Sequence, residues 1–164
     1  VKVEMKLSGL EGVLDTLKAL PPEVASKRGG PLKAALRKGA LVIFKEAQQN
    51  LYRATADIST GDDLGTGLLL KNLVVTRGKE PAGGNGERYL VRVRRKSYQR
   101  KGEPVTTLKT AQLLEYGSEK QPAEPWLRPA FQAKAQEAIR TIETEVIKGV
   151  DRAVKKLAAR NKGR

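Results

Sequence analysis

The chain has 164 residues, with 32 Lys and Arg against 18 Asp and Glu, a formal charge of +14, and neither Cys nor His. Such a length suits one ordinary domain, 1–164, and the missing Cys and His remove disulfide scaffolds, thiolate nucleophiles, imidazole bases, Ser-His-Asp triads and Cys- or His-ligated metals. Only carboxylate, Lys or Tyr chemistry is left, and the longest wholly apolar run, Ala40 to Phe44, is far below the roughly 18 residues of a membrane span.

At the start of the chain Val1, Val3, Met5 and Leu7 alternate with polar residues, the period-two pattern of a half-buried strand. Val1 to Leu10 has no apolar signal core, so the chain reads as soluble and unexported, and Val1 in place of Met points to a processed or trimmed start. Ser8-Gly9-Leu10-Glu11 has the spacing of a capping box, and Leu10, Val13, Leu14, Leu17 and Leu20 give the following helix one apolar face. Pro21-Pro22 ends that helix. Gly29-Gly30-Pro31 marks a turn and places Pro31 at the start of a second, Ala- and Lys-rich helix, in which Leu32, Leu36, Ile43, Ala47 and Leu51 keep helical spacing to about Ala54.

Thr55 to Gly67 reads as a loop rich in Thr, Asp and Gly. Its Asp62-Asp63 pair has no third ligand nearby, so no metal site is expected, and nothing in the sequence calls for a cofactor. A short apolar stretch, Leu68 to Leu73, leads into the strand-like Leu73-Val74-Val75-Thr76, and a second strand spans Tyr89 to Val93. The Gly83-Gly84-Asn85-Gly86 run between them lacks the Lys-Ser/Thr ending of a P-loop and reads as a hairpin loop.

Arg88 to Lys101 holds seven basic residues and no acid: Arg88, Arg92, Arg94, Arg95, Lys96, Arg100 and Lys101. Asp151 to Arg164 holds six against Asp151 alone, so these two segments carry +12 of the total charge. A localised basic field favours an anionic partner, and Tyr89 and Tyr98 lie within the first cluster where they could stack on bases. A solvated face is the plainer alternative for such clusters. Ser97 to Lys109 is polar and reads as a mobile extension of the hairpin, giving an arm over about 88–110. Ala111 to Tyr116 reads as a third strand, ended by Gly117.

Leu127, Phe131, Ala135, Ala138, Ile139, Ile142, Val146, Val150, Val154 and Leu157 repeat at three and four, which predicts one helix from about Pro129 to Ala159. At about 1.5 Å per residue it would be on the order of 45 Å long, more than a small core covers. Part of its apolar stripe is therefore expected to meet another subunit or partner, and a basic tail over about 158–164 is expected to be disordered. The fold class is α+β: a small antiparallel sheet of about four strands packed against two or three helices, with a long C-terminal helix.

One segment is more specific than these patterns. Glu115-Tyr116-Gly117-Ser118, three further residues, and then Pro122-Ala123-Glu124-Pro125-Trp126-Leu127-Arg128-Pro129-Ala130-Phe131 resembles the signature of the tail-completion (neck or tail-terminator) family of long-tailed bacteriophages. The wider layout is similar, with Leu7-Ser8-Gly9-Leu10 before an Ala/Lys-rich helix and Thr66-Gly67-Leu68-Leu69 after it. Ser118 replaces the family's usual Thr, and Leu51 follows Asn50 where the family often has Pro.

The resemblance implies a non-enzymatic structural virion protein, assembled in the bacterial host cytoplasm, that caps the tail tube and joins it to the head. It implies a homo-oligomeric ring, with six copies the expected number, in contact with a tail-tube protein and a head-connector or stopper protein, and with no membrane. Candidate subunit-interface residues are then Glu115, Tyr116, Gly117, Pro125, Trp126, Leu127, Arg128, Pro129 and Phe131. Trp126 can either plug the core or anchor a neighbouring subunit. Candidate basic docking residues are Arg92, Arg94, Arg95, Lys96, Arg100 and Lys101, with nonspecific contact to DNA a further use of the same charge. The competing reading is a basic nucleic-acid-binding module built on the same arm and tail. A carboxylate-dependent nuclease would need clustered acids, and the chain offers only Asp62-Asp63 and scattered Glu residues.

Overall fold

A computed structural model describes residues 30–56, 64–79, 87–100 and 102–162. The expected N-terminal strand and first helix, the Asp62-Asp63 pair, the glycine-rich hairpin loop and Lys101 lie outside the described residues. The described elements are α1 (Gly30–Ala56), α2 (Leu64–Asn72), β1 (Leu73–Arg77), β2 (Tyr89–Val93), β3 (Ser97–Arg100), β4 (Glu103–Thr106), α3 (Thr107–Tyr116) and α4 (Leu127–Lys162). The class is α+β, with the four strands forming two two-stranded sheets, β1 with β2 and β3 with β4.

Flanking hydrogen bonds, Arg94 N–H to Asn72 C=O at 2.8 Å and Gly78 N–H to Arg88 C=O at 2.9 Å, set β1 and β2 antiparallel. Along β2 the exposure alternates, with Tyr89, Val91 and Val93 turned inward and Leu90 and Arg92 outward. β3 and β4 are antiparallel in the register Ser97↔Thr106 to Arg100↔Glu103. They join at a tight turn in which Gly102 has φ +81°, a conformation that side-chain-bearing residues resist. The polar segment Ser97 to Lys109, expected to be a mobile extension, contains the strands β3 and β4 and the first residues of α3, and the arm expected over 88–110 is the end of one hairpin, a second hairpin and the start of α3.

Ala111 to Tyr116 is the principal correction. It is not a third strand but the body of α3, buried along Thr107, Ala111, Leu114 and Glu115 at helical spacing. Thr106 starts that helix with its hydroxyl accepting the Lys109 N–H, and Gly117 ends it by donating its N–H to the Leu113 carbonyl. The segment expected to be a loop up to Gly67 becomes helical at Leu64, and Asn72 closes α2 by donating its amide to the Leu68 carbonyl. α4 begins two residues earlier than expected and extends to Lys162, so residues 158–162 of the expected tail are helical. Its 36 residues span about 54 Å.

The described residues fall into two compact units. The first draws on Ala40–Thr76 and Leu90–Ala135 and has a core of Ala47, Leu51, Leu69, Leu73, Ala111, Leu114, Trp126 and Ala130. Each fully buried leucine there contributes on the order of 1.5–3 kcal/mol. The second draws on residues 30–39, 77–89 and 136–162, where Ala35 packs with Ile142 and Val146. Within it α1 and α4 approach closely because both present glycine. A Cβ on Gly39 would lie 2.5 Å from Ile142 Cγ1, and one on Gly149 would lie 2.5 Å from Pro31 Cβ and 3.1 Å from its Cα. The Lys38 ammonium meets Glu145 at 2.6 Å, and Glu87 takes both Arg77, at 2.7 and 2.8 Å, and Lys33 at 3.3 Å.

Candidate functional site

The family-like segment folds within the first unit as one joint between α3 and α4. Glu115, in the last turn of α3, is 2 % exposed. Its Oε2 accepts the N–H groups of Trp126 (2.9 Å) and Leu127 (2.8 Å), and its Oε1 accepts the Arg128 N–H (3.1 Å) and Arg128 Nε (2.8 Å). The first N–H groups of a helix have no partner within it and carry the positive end of its dipole, so a carboxylate there satisfies both needs. This one is supplied by another helix, 11 to 13 residues upstream.

Arg128 completes the loop of contacts. Its Nη2 donates to the Glu115 carbonyl at 2.8 Å, and its guanidinium lies 4.7 Å from the centre of the Tyr116 ring. Burial pushes the Glu115 carboxyl up, but the Leu127 N–H, the Arg128 guanidinium and the Trp126 and Arg128 N–H groups outweigh it and hold the group below its ordinary range. With four donors on its two oxygens, Glu115 is an orienting group.

The turn between the helices has its own requirements. Gly117 has φ +75° and ψ −173°, a region essentially reserved for glycine, and a Cβ there would meet the Ala123 nitrogen at 2.8 Å and the Gln121 oxygen at 2.9 Å. Ser118 and Gln121 exchange backbone hydrogen bonds at 2.8 and 3.2 Å, and the Glu124 N–H reaches the Leu114 carbonyl at 2.7 Å. Trp126 is 3 % exposed; its indole N–H donates to the Ala111 carbonyl at 3.3 Å, and Asn50 of α1 donates to the Trp126 carbonyl at 3.2 Å. Of the two roles open to Trp126 in the sequence, it takes the core one.

The nine candidate interface residues therefore divide. Glu115 and Trp126 are buried inside the unit, Gly117, Leu127, Pro129 and Phe131 are half-buried, and Tyr116, Pro125 and Arg128 are exposed. Among the basic candidates Arg92, Arg94, Arg95, Lys96 and Arg100 are all exposed, and Lys101 lies outside the described residues. Thr107, missed by the sequence reading, fixes where that basic row lies. Fully buried, it donates its hydroxyl to the Arg94 carbonyl (2.6 Å) and accepts the Lys96 N–H (2.9 Å), while its own N–H donates to the Lys96 carbonyl (2.9 Å). The Thr106-Thr107 doublet ahead of an Ala-Gln-Leu-Leu-Glu run was the available signal.

Between the row and the joint runs a groove of about 560 Å³. Residues 91–96 form one wall, Leu108, Ala111, Gln112 and Glu115 the other, and Trp126 and Leu127 contribute to its lining. Among the described residues no group of three or more Asp or Glu side chains could hold a metal ion, and no helix is long and apolar enough to cross a membrane.

Comparison with models of protein families, with curated proteins and with solved structures gives no match to this chain.

Proposed function

We propose that this chain is a structural assembly protein of a long-tailed bacteriophage, a ring-forming subunit that caps the tail tube and joins it to the head, without catalysis. The observation that carries the reading is the joint. The residues by which the sequence resembles the tail-completion signature have interlocking geometric duties: Glu115 caps α4, Gly117 makes the turn, Trp126 fills the core and Arg128 ties back to Glu115. In this reading Tyr116, Pro125 and Arg128 supply the exposed part of the subunit contact, with Glu115 and Trp126 holding its shape. Exposed Ile147 (57 %) and Val154 (50 %) on α4 offer further apolar surface to a neighbouring copy. A closed ring joins two different patches of the same subunit, so the two surfaces need not resemble each other. The exposed row Arg92, Arg94, Arg95 and Lys96 then serves to dock the tube or connector.

Light scattering of the full chain over a concentration series, with and without a short DNA duplex and at low and moderate salt, tests this. A discrete ring-sized mass indifferent to DNA is expected. A monomer that binds duplex tightly at moderate salt overturns the reading in favour of the basic nucleic-acid module. Replacing Arg92, Arg94 and Arg95 together by Glu should block tail joining while leaving the fold intact, and unchanged joining would remove the row from the docking surface.

A further inference from the structure

We infer that the groove beside the joint binds an extended, acidic segment of a partner protein, in which apolar side chains alternate with carboxylates. This deepens the assembly reading by stating the chemistry of the docking partner, and rests on that reading only for where the partner comes from.

The first observation is the edge of β2. Arg94 bonds to Asn72 and Arg88 to Gly78, so by antiparallel alternation Leu90 and Arg92 also face β1 with their backbone groups. Val91 and Val93 therefore direct their N–H and C=O groups to the opposite edge, where no other described strand pairs. A strand edge facing a helix across a groove, here β2 and α3, suits the addition of an extended peptide, with backbone bonds supplying affinity and alternate side chains supplying selectivity.

The second observation is charge. Arg92, Arg94, Arg95 and Lys96 line the groove and are exposed, and no ion pair engages any of them among the described residues. The groove itself offers Val91, Val93, Leu108 and Leu127 as apolar contacts. Its one carboxylate, Glu115, is saturated by four donors and does not oppose an incoming acid. A second copy is a poor occupant, because it brings a net +14. A nucleic acid matches the charge but not the lining: among the described residues no Tyr or Phe lines the groove and its one aromatic residue, Trp126, is buried, leaving apolar aliphatic groups where stacking rings would be needed. Thr107 fixes the Arg94 to Lys96 backbone before any partner arrives, which lowers the ordering cost of binding.

The test uses the full chain on peptide arrays: octapeptides alternating acidic with apolar residues, octapeptides alternating basic with apolar residues, and all-acidic octapeptides. Retention on the first array alone is expected, weakening with added salt. The R94E/R95E variant should bind about tenfold more weakly. The K155E/K156E variant, with the same charge change on α4, should bind as the parent does. Q112W, which puts an indole into the groove from an exposed position, should abolish retention, with melting temperature verifying that each variant is folded. Equal retention on all three arrays, equal loss in both charge variants, or full displacement by a single-stranded DNA octamer would overturn the inference, the last in favour of a nucleic-acid site. Loss of peptide binding with ring formation intact removes the groove and spares the assembly reading, whereas peptide binding by a chain that never forms a ring does the reverse.

Discussion

The first turn of α4 is held by hydrogen bonds and its middle by close contact. At Glu115 one carboxylate collects three backbone N–H groups and a guanidinium, all directional and all dependent on a charge. At Gly39 and Gly149, in the other unit, there is nothing to ionise; two helices approach because neither has a Cβ in the way. Fixing by polar groups fails when a partner is removed or protonated, and fixing by contact fails when an atom is added.

Glu115→Ala should be the most damaging single change. It leaves the buried Trp126 N–H, the part-buried Leu127 and Arg128 N–H groups and the Arg128 Nε without their acceptor, and a cost of about 3–5 kcal/mol in urea unfolding is expected. A cost below about 1 kcal/mol would show that water replaces the carboxylate and that the joint is not what orients α4. Gly117→Ala should follow at about 1–3 kcal/mol, because the new side chain meets both a glycine-only backbone conformation and the Ala123 and Gln121 backbone. Gly149→Ala is expected to cost about 1–3 kcal/mol through overpacking on the rigid Pro31 ring. Gly39→Ala should cost less, since its nearest neighbour is the flexible Ile142 side chain, although the Ala138 carbonyl at 3.1 Å limits the relief.

Acid sharpens the comparison. Because Glu115 is held below its ordinary value when folded, its contribution is complete above the usual glutamate range and drains away as pH falls through that range and beneath it. Glu115→Gln should flatten the acid limb of melting temperature against pH, while Gly149→Ala should lower the whole curve without changing its shape. Glu145 is also held low, chiefly by Lys38, but the pair is open to solvent. Lys38→Ala should therefore give the smallest effect, with no resolvable change in melting temperature.

Much of this was legible in the sequence. The spacing of Leu32, Leu36, Ile43, Ala47 and Leu51 predicted α1, the strand expected over Tyr89 to Val93 is β2, and the threes and fours from Leu127 predicted α4. α3 was misread because Ala111 to Tyr116 is too short an apolar run to show its period, and its cap, Thr106, sits in a stretch that looks merely polar. Glu115 was picked out by resemblance, but its task was invisible to periodicity, since all its side-chain partners lie beyond the turn. The roles of Gly39 and Gly149 were not read from the sequence, because what they accommodate is more than 100 residues away in the chain.

That difference in separation carries into the order of folding. The bonds from α3 to residues 124–128 span 10 to 15 residues, Leu114 to Glu124 and Ala111 to Trp126 among them, whereas Lys38 and Glu145 are 107 residues apart. Closing a short loop sacrifices less chain entropy than closing a long one. The α3–turn–α4 corner is therefore expected to assemble early, with substitutions at Glu115 slowing refolding and substitutions at Gly149 mainly hastening unfolding.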